Sequence, residues 1–447
     1  MRSCYNCVRH TNLCSCICYI RSLCLSIQFG GTEKIFSGGD FTMERIILHC
    51  DINNCYASIE CAENPALRGK PVAVCGDVEE RHGIVLAKST EAKAAGVQTG
   101  ETVWKAKLKC PELTVLPPRF DMYLKYSRAV REIYYRFTNQ IEAFGIDECW
   151  LDVTGSTKLF GRGTEIANKI RTAVFSELGI TISVGVSFNK VFAKLASDLK
   201  KPDAVTCIER KTFKRIVWPL PVSVLMGVGK STAKTLNSLY IKTVGELAKE
   251  SPARLRRSLG KCGMQLWEYA NGLECSPVAD CDVSSPVKSI GHGITTPSDL
   301  KHNEEVRHVI FALSETIGKK LRSNRLAASG VQISIRDSEF RTHEFQCMLP
   351  APTQSSLAVS RQAFCLFSKK YAWTHDIRSV SVRAIHLVPH GTPYQLDLWG
   401  DALRTSKSET IEDAMDKLQT RFGGGVINYA AILYDPRHYS FCENSFH

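Results

Sequence analysis

No stretch of this chain approaches the roughly 18 uncharged apolar residues that a membrane-spanning helix needs, so no membrane-embedded part is expected. Internal repeats and low-complexity tracts are also missing, which argues against a solenoid or a largely disordered chain. The first residues lack an uninterrupted apolar segment ahead of a small-residue cleavage site, so they do not read as a secretory leader. Disulfide spacing is absent too, although the chain holds 19 cysteines. Six of them (Cys4, Cys7, Cys14, Cys16, Cys18 and Cys24) crowd the first 24 residues, and the rest are scattered singly, as core thiols of a reducing compartment would be. The Cys4-x-x-Cys7 pair hints at a zinc module, but Cys14-x-Cys16-x-Cys18 is not a zinc-finger spacing. Residues 1–42 are therefore read as an extension, disordered or upstream of the working start, because Met43 opens a far more fold-like segment, MERIILHCDINNCY.

What is present points to a polyanionic partner. The 447 residues suggest about two to four domains, the 44% hydrophobic content supplies real cores, and the net charge is +12. That charge is unevenly placed. Between Lys211 and Pro277 there are 11 Lys and Arg against 4 Asp and Glu, and between Ser285 and His390 there are 14 against 8. Two adjacent basic segments beside a near-neutral remainder suit a surface that grips a phosphate backbone.

Apolar patterning alternates between strand and helix along the first half. Arg45–Cys50 reads as a buried strand ending at Asp51, followed by a turn into a helix from Asn54 to Glu60. Pro71–Cys75 and Gly83–Ala87 are further strands, and Ser89–Ala95 is a helix stopped by Gly96. Leu124–Phe137 is helical, Ile141–Val153 a hairpin with an acidic turn, Glu165–Leu178 a helix, Thr181–Val186 a strand, and Lys190–Lys201 a helix up to Pro202. Short helices follow to about residue 277, with Cys275–Pro286 as a linker. A helix at Val306–Leu326 and strands at Gln332–Arg336 and Val380–Val388 mark a second α+β domain, and Ile411–Phe422 is one more amphipathic helix.

Carboxylates at element ends carry the chemistry. Asp51 closes an apolar strand, and Asp147-Glu148 sits inside an otherwise apolar Phe-Gly-Ile and Cys-Trp-Leu context. Burying such acids costs free energy unless a cation meets them. A divalent metal does so economically, and magnesium favours carboxylate oxygens while keeping positions for water and phosphate. Pairing with nearby Lys or Arg, or simple turn capping, would satisfy the same acids, and spacing alone does not choose.

Three segments in order do choose. Asp51-Ile-Asn-Asn-Cys-Tyr-Ala-Ser-Ile-Glu60, Gly145-Ile-Asp-Glu-Cys-Trp-Leu-Asp152 and Ser183 through Pro202 closely resemble the signature blocks of Y-family, translesion DNA polymerases of the bacterial polymerase IV and V branch. The resemblance spans residues 43–400. It implies a right-hand architecture: a palm over 43–61 and 115–210, fingers over 62–114, a helical thumb with a helix–hairpin–helix over 211–277, a linker at 278–286, an α+β little finger over 287–390 and a tail over 391–447. It implies a pair of magnesium ions held by Asp51, Asp147, Glu148 and the Ile52 carbonyl, with Glu148 as the catalytic acid. Tyr56 becomes a steric gate against the ribose 2′-hydroxyl, and Lys201 a partner of the triphosphate. Asp152 is read as structural, and Asn53 stands where many relatives carry Asp.

One departure concerns the fingers. Many members clasp the triphosphate with a Tyr and an Arg, whereas Ala87-Lys-Ser-Thr-Glu-Ala-Lys93 puts Thr90 and Lys93 at those places. Lys93 supplies a point charge without the guanidinium fork.

Two further motifs complete the reading. Met226-Gly-Val-Gly-Lys-Ser-Thr232 mimics an ATPase P-loop, but the glycine that pattern needs at position 224 is Val. Gly227, Gly229 and Lys230 instead suit a hairpin whose backbone N–H groups meet DNA phosphates. Gln395-Leu-Asp-Leu-Trp399, with Gln395, Leu396, Leu398 and Trp399 as anchors, resembles the peptide by which bacterial polymerases bind the sliding clamp. The expectation is thus a monomeric, cytoplasmic, nucleoid-associated bacterial enzyme acting on primer-template DNA and dNTPs, without proofreading. The rivals are a catalytically silent DNA-binding relative that bridges clamp and DNA, and a P-loop ATPase of DNA repair.

Overall fold

A computed structural model describes residues 44–76, 83–280, 286–395, 401–424 and 426–430. The extension expected at 1–42, with its cysteine cluster, lies outside them.

The strand Ile47–Ile52 is buried along its whole length and forms the middle of a five-stranded sheet. It pairs antiparallel with Glu148–Asp152 on one side and Ile182–Ser187 on the other. Ile141–Ala143 adds an antiparallel edge, and Val205–Ile208 closes the far edge in parallel. Successive side chains of a strand point to opposite faces. Leu48, Cys50 and Ile52 therefore meet one core, shared with Val130, Ile133, Ile166 and Ile170 of the helices Phe120–Tyr135 and Gly163–Leu178. Ile47, His49 and Asp51 point the other way, beneath the helix Lys190–Leu199. The fit there is close: a Cβ on Gly185 would sit 1.9 Å from the Ala193 carbonyl oxygen, so only glycine lets helix and sheet approach. Ile47 packs with Trp150 and Ala193, and His49 Nδ1 shares a hydrogen bond with Ser197 Oγ at 2.8 Å. The covering helix ends at Leu199, and Lys201 just beyond it reaches back to Asp51.

A smaller sheet orders Val85–Lys88, Val72–Cys75 and Thr114–Leu116, backed by the helices Thr90–Ala94 and Val103–Lys109. The first of these helices is capped by Ser89 Oγ, which accepts from the Ala92 N–H. Helices from Phe213 to Ala270 pack Leu236, Leu247, Leu255 and Leu266 into a core shared with Phe188, Val191 and Phe192. Beyond them stands a four-stranded antiparallel sheet, ordered Thr342–Thr353, Leu326–Asp337, Ile377–Pro389 and Ser289–Leu300. Val331, Ile333, Ile335, Val380 and Val382 turn toward the helices Asn303–Ser323 and Ser356–Lys370, while Gln332, Ser334, Ser381 and Arg383 line a shallow hollow on the other face. The sequence marked only parts of this sheet. Ser289–Leu300 and Thr342–Thr353 escaped because glycine, proline and polar residues interrupt their alternation.

The helix Asp401–Phe422 is bound to this unit by charge. Arg322 pairs with Glu412 and, at 2.6 Å, with Asp416, while Glu412 also accepts from the Ser356 N–H at 2.8 Å. Among the described residues no helix is long and apolar enough to cross a membrane.

Candidate active site

Antiparallel pairing sets Asp51 directly opposite Glu148. Like charges facing each other across two strands repel, so this register is unfavourable by itself. Asp147 lies in the turn that leads into the Glu148 strand, and its carbonyl accepts from the Ile52 N–H at 3.1 Å. Two features shape that turn. Gly145 takes φ +111°, a conformation that other residues rarely adopt, and the Ile146 carbonyl accepts from Ser127 Oγ at 2.5 Å.

Lysines supply the countercharge. Lys201 Nζ lies 2.8 Å from both Asp51 Oδ2 and Asp198 Oδ1, and Lys194 Nζ lies 2.5 Å from Glu148 Oε2. His49, fully buried, brings Nε2 within 3.5 Å of the same Glu148 oxygen. Burial pushes the Asp51 carboxyl up to about 6 despite Lys201, and burial with the neighbouring Glu148 also raises Asp147. Burial acts on Glu148 in the same direction, but its bonds to His49 and Lys194 win and hold it at about 2. Desolvation by burial lowers the His49 imidazole below its usual value, against the pull of Glu148. The result is an anionic cluster whose charge is incompletely met by the protein.

A cavity of about 370 Å³ opens beside Asp51 and Asp147, while Glu148 lies outside its lining. Asp51, Ile52, Asp147 and Lys201 line it together with Tyr56, from the first turn of the helix Cys55–Glu63. Leu86, Ala87 and Lys88 of the smaller sheet also line it, with Thr99 from a nearby turn. Thr90 and Lys93 are both exposed and neither lines the cavity; Thr90 Oγ1 instead accepts from Asn54 Nδ2 at 3.2 Å. Lys88 occupies the wall, its Nζ 3.0 Å from Thr99 Oγ1. Sequence reasoning passed over Lys88, Lys194 and His49. Only the alternation of their strand or helix could have flagged them, by pointing each toward the carboxylate face.

Asn53 is buried and accepts from Ser183 Oγ at 2.8 Å, while Asp152 accepts from the Thr154 hydroxyl at 2.6 Å, a turn-fixing contact. Among the described residues no three His, Cys, Asp or Glu side chains converge tightly enough to hold a metal ion as they stand, and lysines engage Asp51 and Glu148. The donors are nonetheless all hard carboxylate oxygens beside a solvent-open cavity, which is the chemistry magnesium accepts.

Gly227, Gly229 and Lys230 lie on the surface elsewhere. Gly227 takes φ +87° in a turn after the short 3₁₀ segment Val222–Val224, and Lys230 opens the helix Lys230–Ser238. A P-loop requires a strand at this point, so the ATPase rival loses its structural support. Gln395 is exposed, whereas Leu396, Leu398 and Trp399 fall outside the described residues.

Comparison with known proteins shows which family the chain resembles along its length. Residues 50–198 match the impB/mucB/samB family, residues 287–398 the C-terminal domain of that family, and residues 223–274 a thumb domain described from DNA polymerase-iota. The chain is 49% identical over 393 residues to a DNA polymerase IV of Acetivibrio thermocellus, covering 88% of this chain and 98% of that protein. It is 40% identical to DNA polymerase IV 1 of Bacillus subtilis, covering 87% of this chain and 93% of that relative. Among solved structures, a Y-family DNA polymerase chimera superposes with a TM-score of 0.69 at 22% identity, over 77% of this chain and all of the other, a likeness of fold.

Proposed function

The chain belongs to the impB/mucB/samB family of Y-family DNA polymerases, and from that premise we propose that it is an error-prone, template-directed DNA polymerase that bypasses damaged template bases. The observation that carries this reading is the cross-strand pair Asp51 and Glu148, with Asp147 beside them, and a cavity lined by Asp51, Asp147, Tyr56 and Lys201. Its substrates are primer-template DNA and dNTPs. Asp51, Asp147, Glu148 and the Ile52 carbonyl would hold a pair of magnesium ions. Bound there, the metal supplies charge stabilisation to the attacking 3′-hydroxyl and to the leaving pyrophosphate.

The protein's own groups do the remaining work. Lys201, held 2.8 Å from both Asp51 and Asp198 at the cavity wall, is the cation that would meet the triphosphate. Lys93 and Thr90 approach the triphosphate only if the short helix that bears them closes over the cavity. Tyr56 stands at the sugar, where its ring leaves no room for a 2′-hydroxyl. The basic helical region, with Gly227, Gly229 and Lys230 at its hairpin, holds the duplex backbone through N–H groups and charge. The domain boundaries read from the sequence divide these tasks among palm, fingers, thumb and little finger.

Primer extension tests the activity itself. With magnesium, a primer should gain only the nucleotide complementary to the template base, and chelation should stop it. Synthesis that ignores the template, or survives chelation, overturns the reading.

The segment 395–399 is proposed to dock in the hydrophobic pocket of a bacterial sliding clamp, with Leu396, Leu398 and Trp399 as apolar anchors. Deleting it is expected to abolish clamp-stimulated synthesis and leave basal synthesis intact, read as product length with and without loaded clamp. Equal loss of both would remove the clamp assignment.

A further inference from the structure

Behind Tyr56 lies a second tyrosine. Tyr123, on the helix Phe120–Tyr135, is fully buried, and its ring stacks on Tyr56 with centroids 4.3 Å apart and planes 11° from parallel. Phe120 presents its edge to both rings, at 5.9 Å to Tyr56 and 6.0 Å to Tyr123. The Tyr123 hydroxyl donates to Glu60 Oε1 at 2.7 Å, and Arg119 Nε donates to the same oxygen at 3.0 Å while its fork reaches the other. Glu60 is itself buried, one helical turn beyond Tyr56 on the same helix. The gate ring and the carboxylate that fixes its backing ring thus share one rigid element, and the backing ring comes from another.

We propose that Tyr123 is the positioning residue of the sugar gate: clamped by Glu60, it is the plate that holds the Tyr56 ring in the plane that excludes a ribose 2′-hydroxyl. This rests on the reading of Tyr56 as the gate. An isolated tyrosine in the first turn of a helix can exchange rotamers, and a ring that swings aside leaves space beside the sugar. A parallel stack removes that freedom, and a charge-assisted hydrogen bond keeps the plate from turning with it. Tyr123 touches no substrate and lies outside the cavity lining, so its influence on selectivity passes through Tyr56 alone.

The test measures single-nucleotide insertion by the full-length protein, comparing kcat/KM for a matched ribonucleotide with that for its deoxy counterpart. Tyr123→Leu is expected to raise the ribo-to-deoxy ratio about tenfold, the scale of one lost aromatic stack. Tyr123→Phe keeps the stack but loses the bond to Glu60, so its ratio should fall between those of the wild type and Tyr123→Leu. Phe120 is partly exposed, so Phe120→Ala carries little folding risk; it should raise the ratio about threefold. In a Tyr56→Ala background, Tyr123→Leu should change the ratio no further, because nothing remains to position. A plain loss of stability would depress both nucleotides alike and leave the ratio fixed. If Tyr56→Ala loses discrimination while folded Tyr123→Leu or Phe120→Ala keeps it, the positioning role is overturned and the gate stands. If Tyr56→Ala itself keeps discrimination, the gate reading fails and takes this inference with it.

Discussion

Asp51→Asn is expected to slow nucleotide insertion by about a thousandfold or more while leaving the melting temperature at or above the wild-type value. The kinetic half follows from the carboxylate's place in the metal site, since removing one anionic ligand forfeits several kcal/mol of transition-state charge stabilisation, about three powers of ten in rate. The stability half follows from the geometry. Asp51 is buried opposite Glu148, and its carboxyl is pushed up to about 6 by burial, so ionisation is harder in the folded protein than in the unfolded chain. At neutral pH the fold therefore carries a strained carboxylate, and an amide of the same shape relieves it. Lys201 is not orphaned by the change, because Asp198 remains 2.8 Å from its ammonium. Rate and thermal melting should move in opposite directions, as at sites kept for function at the expense of stability. A large drop in melting temperature would mean that the Lys201–Asp51 pair is structural.

Tyr56→Ala is expected to raise ribonucleotide insertion at least about a hundredfold, with deoxynucleotide insertion changed far less. The ring lines the cavity beside Ile52, Asp147 and Lys201, where the sugar of a nucleotide must lie if its phosphates meet the carboxylates and the lysine. Exclusion by a side chain is steric, so truncation removes the penalty without building any new contact. Competition between labelled ribo- and deoxynucleotides on one primer reads the ratio directly. Unchanged sugar discrimination would take Tyr56 out of the gate role and leave it a wall of the cavity.

Much of this site could be read from the chain itself, for a physical reason. Asp51 ends an apolar run that only a central strand would tolerate, and Asp147 and Glu148 interrupt an apolar hairpin, so local pattern and chemistry coincide. What the pattern could not convey was which cations answer those acids. Lys194 and His49 are remote in sequence: His49 reaches Glu148 from the paired neighbouring strand, and Lys194 from the helix lying across it. Lys88 was hidden beside Thr90 and Lys93, which the family resemblance brings forward but which lie outside the cavity lining. Helix boundaries shifted by a few residues: the helix at Phe120 starts ahead of its first periodic leucine, and that extra turn supplies both Phe120 and Tyr123 to the gate. The outer strands Ser289–Leu300 and Thr342–Thr353 were illegible because one face of each meets solvent and neither has a continuous apolar stripe.

The most direct measurement is extension of a primer on a gapped template with magnesium, comparing the wild-type chain with Asp147→Ala. The wild type should add nucleotides in the order the template dictates, and Asp147→Ala should bind the same DNA without extending it. Inactivity of both proteins, each folded and bound to DNA, would contradict the polymerase reading and leave a silent DNA-binding relative in its place.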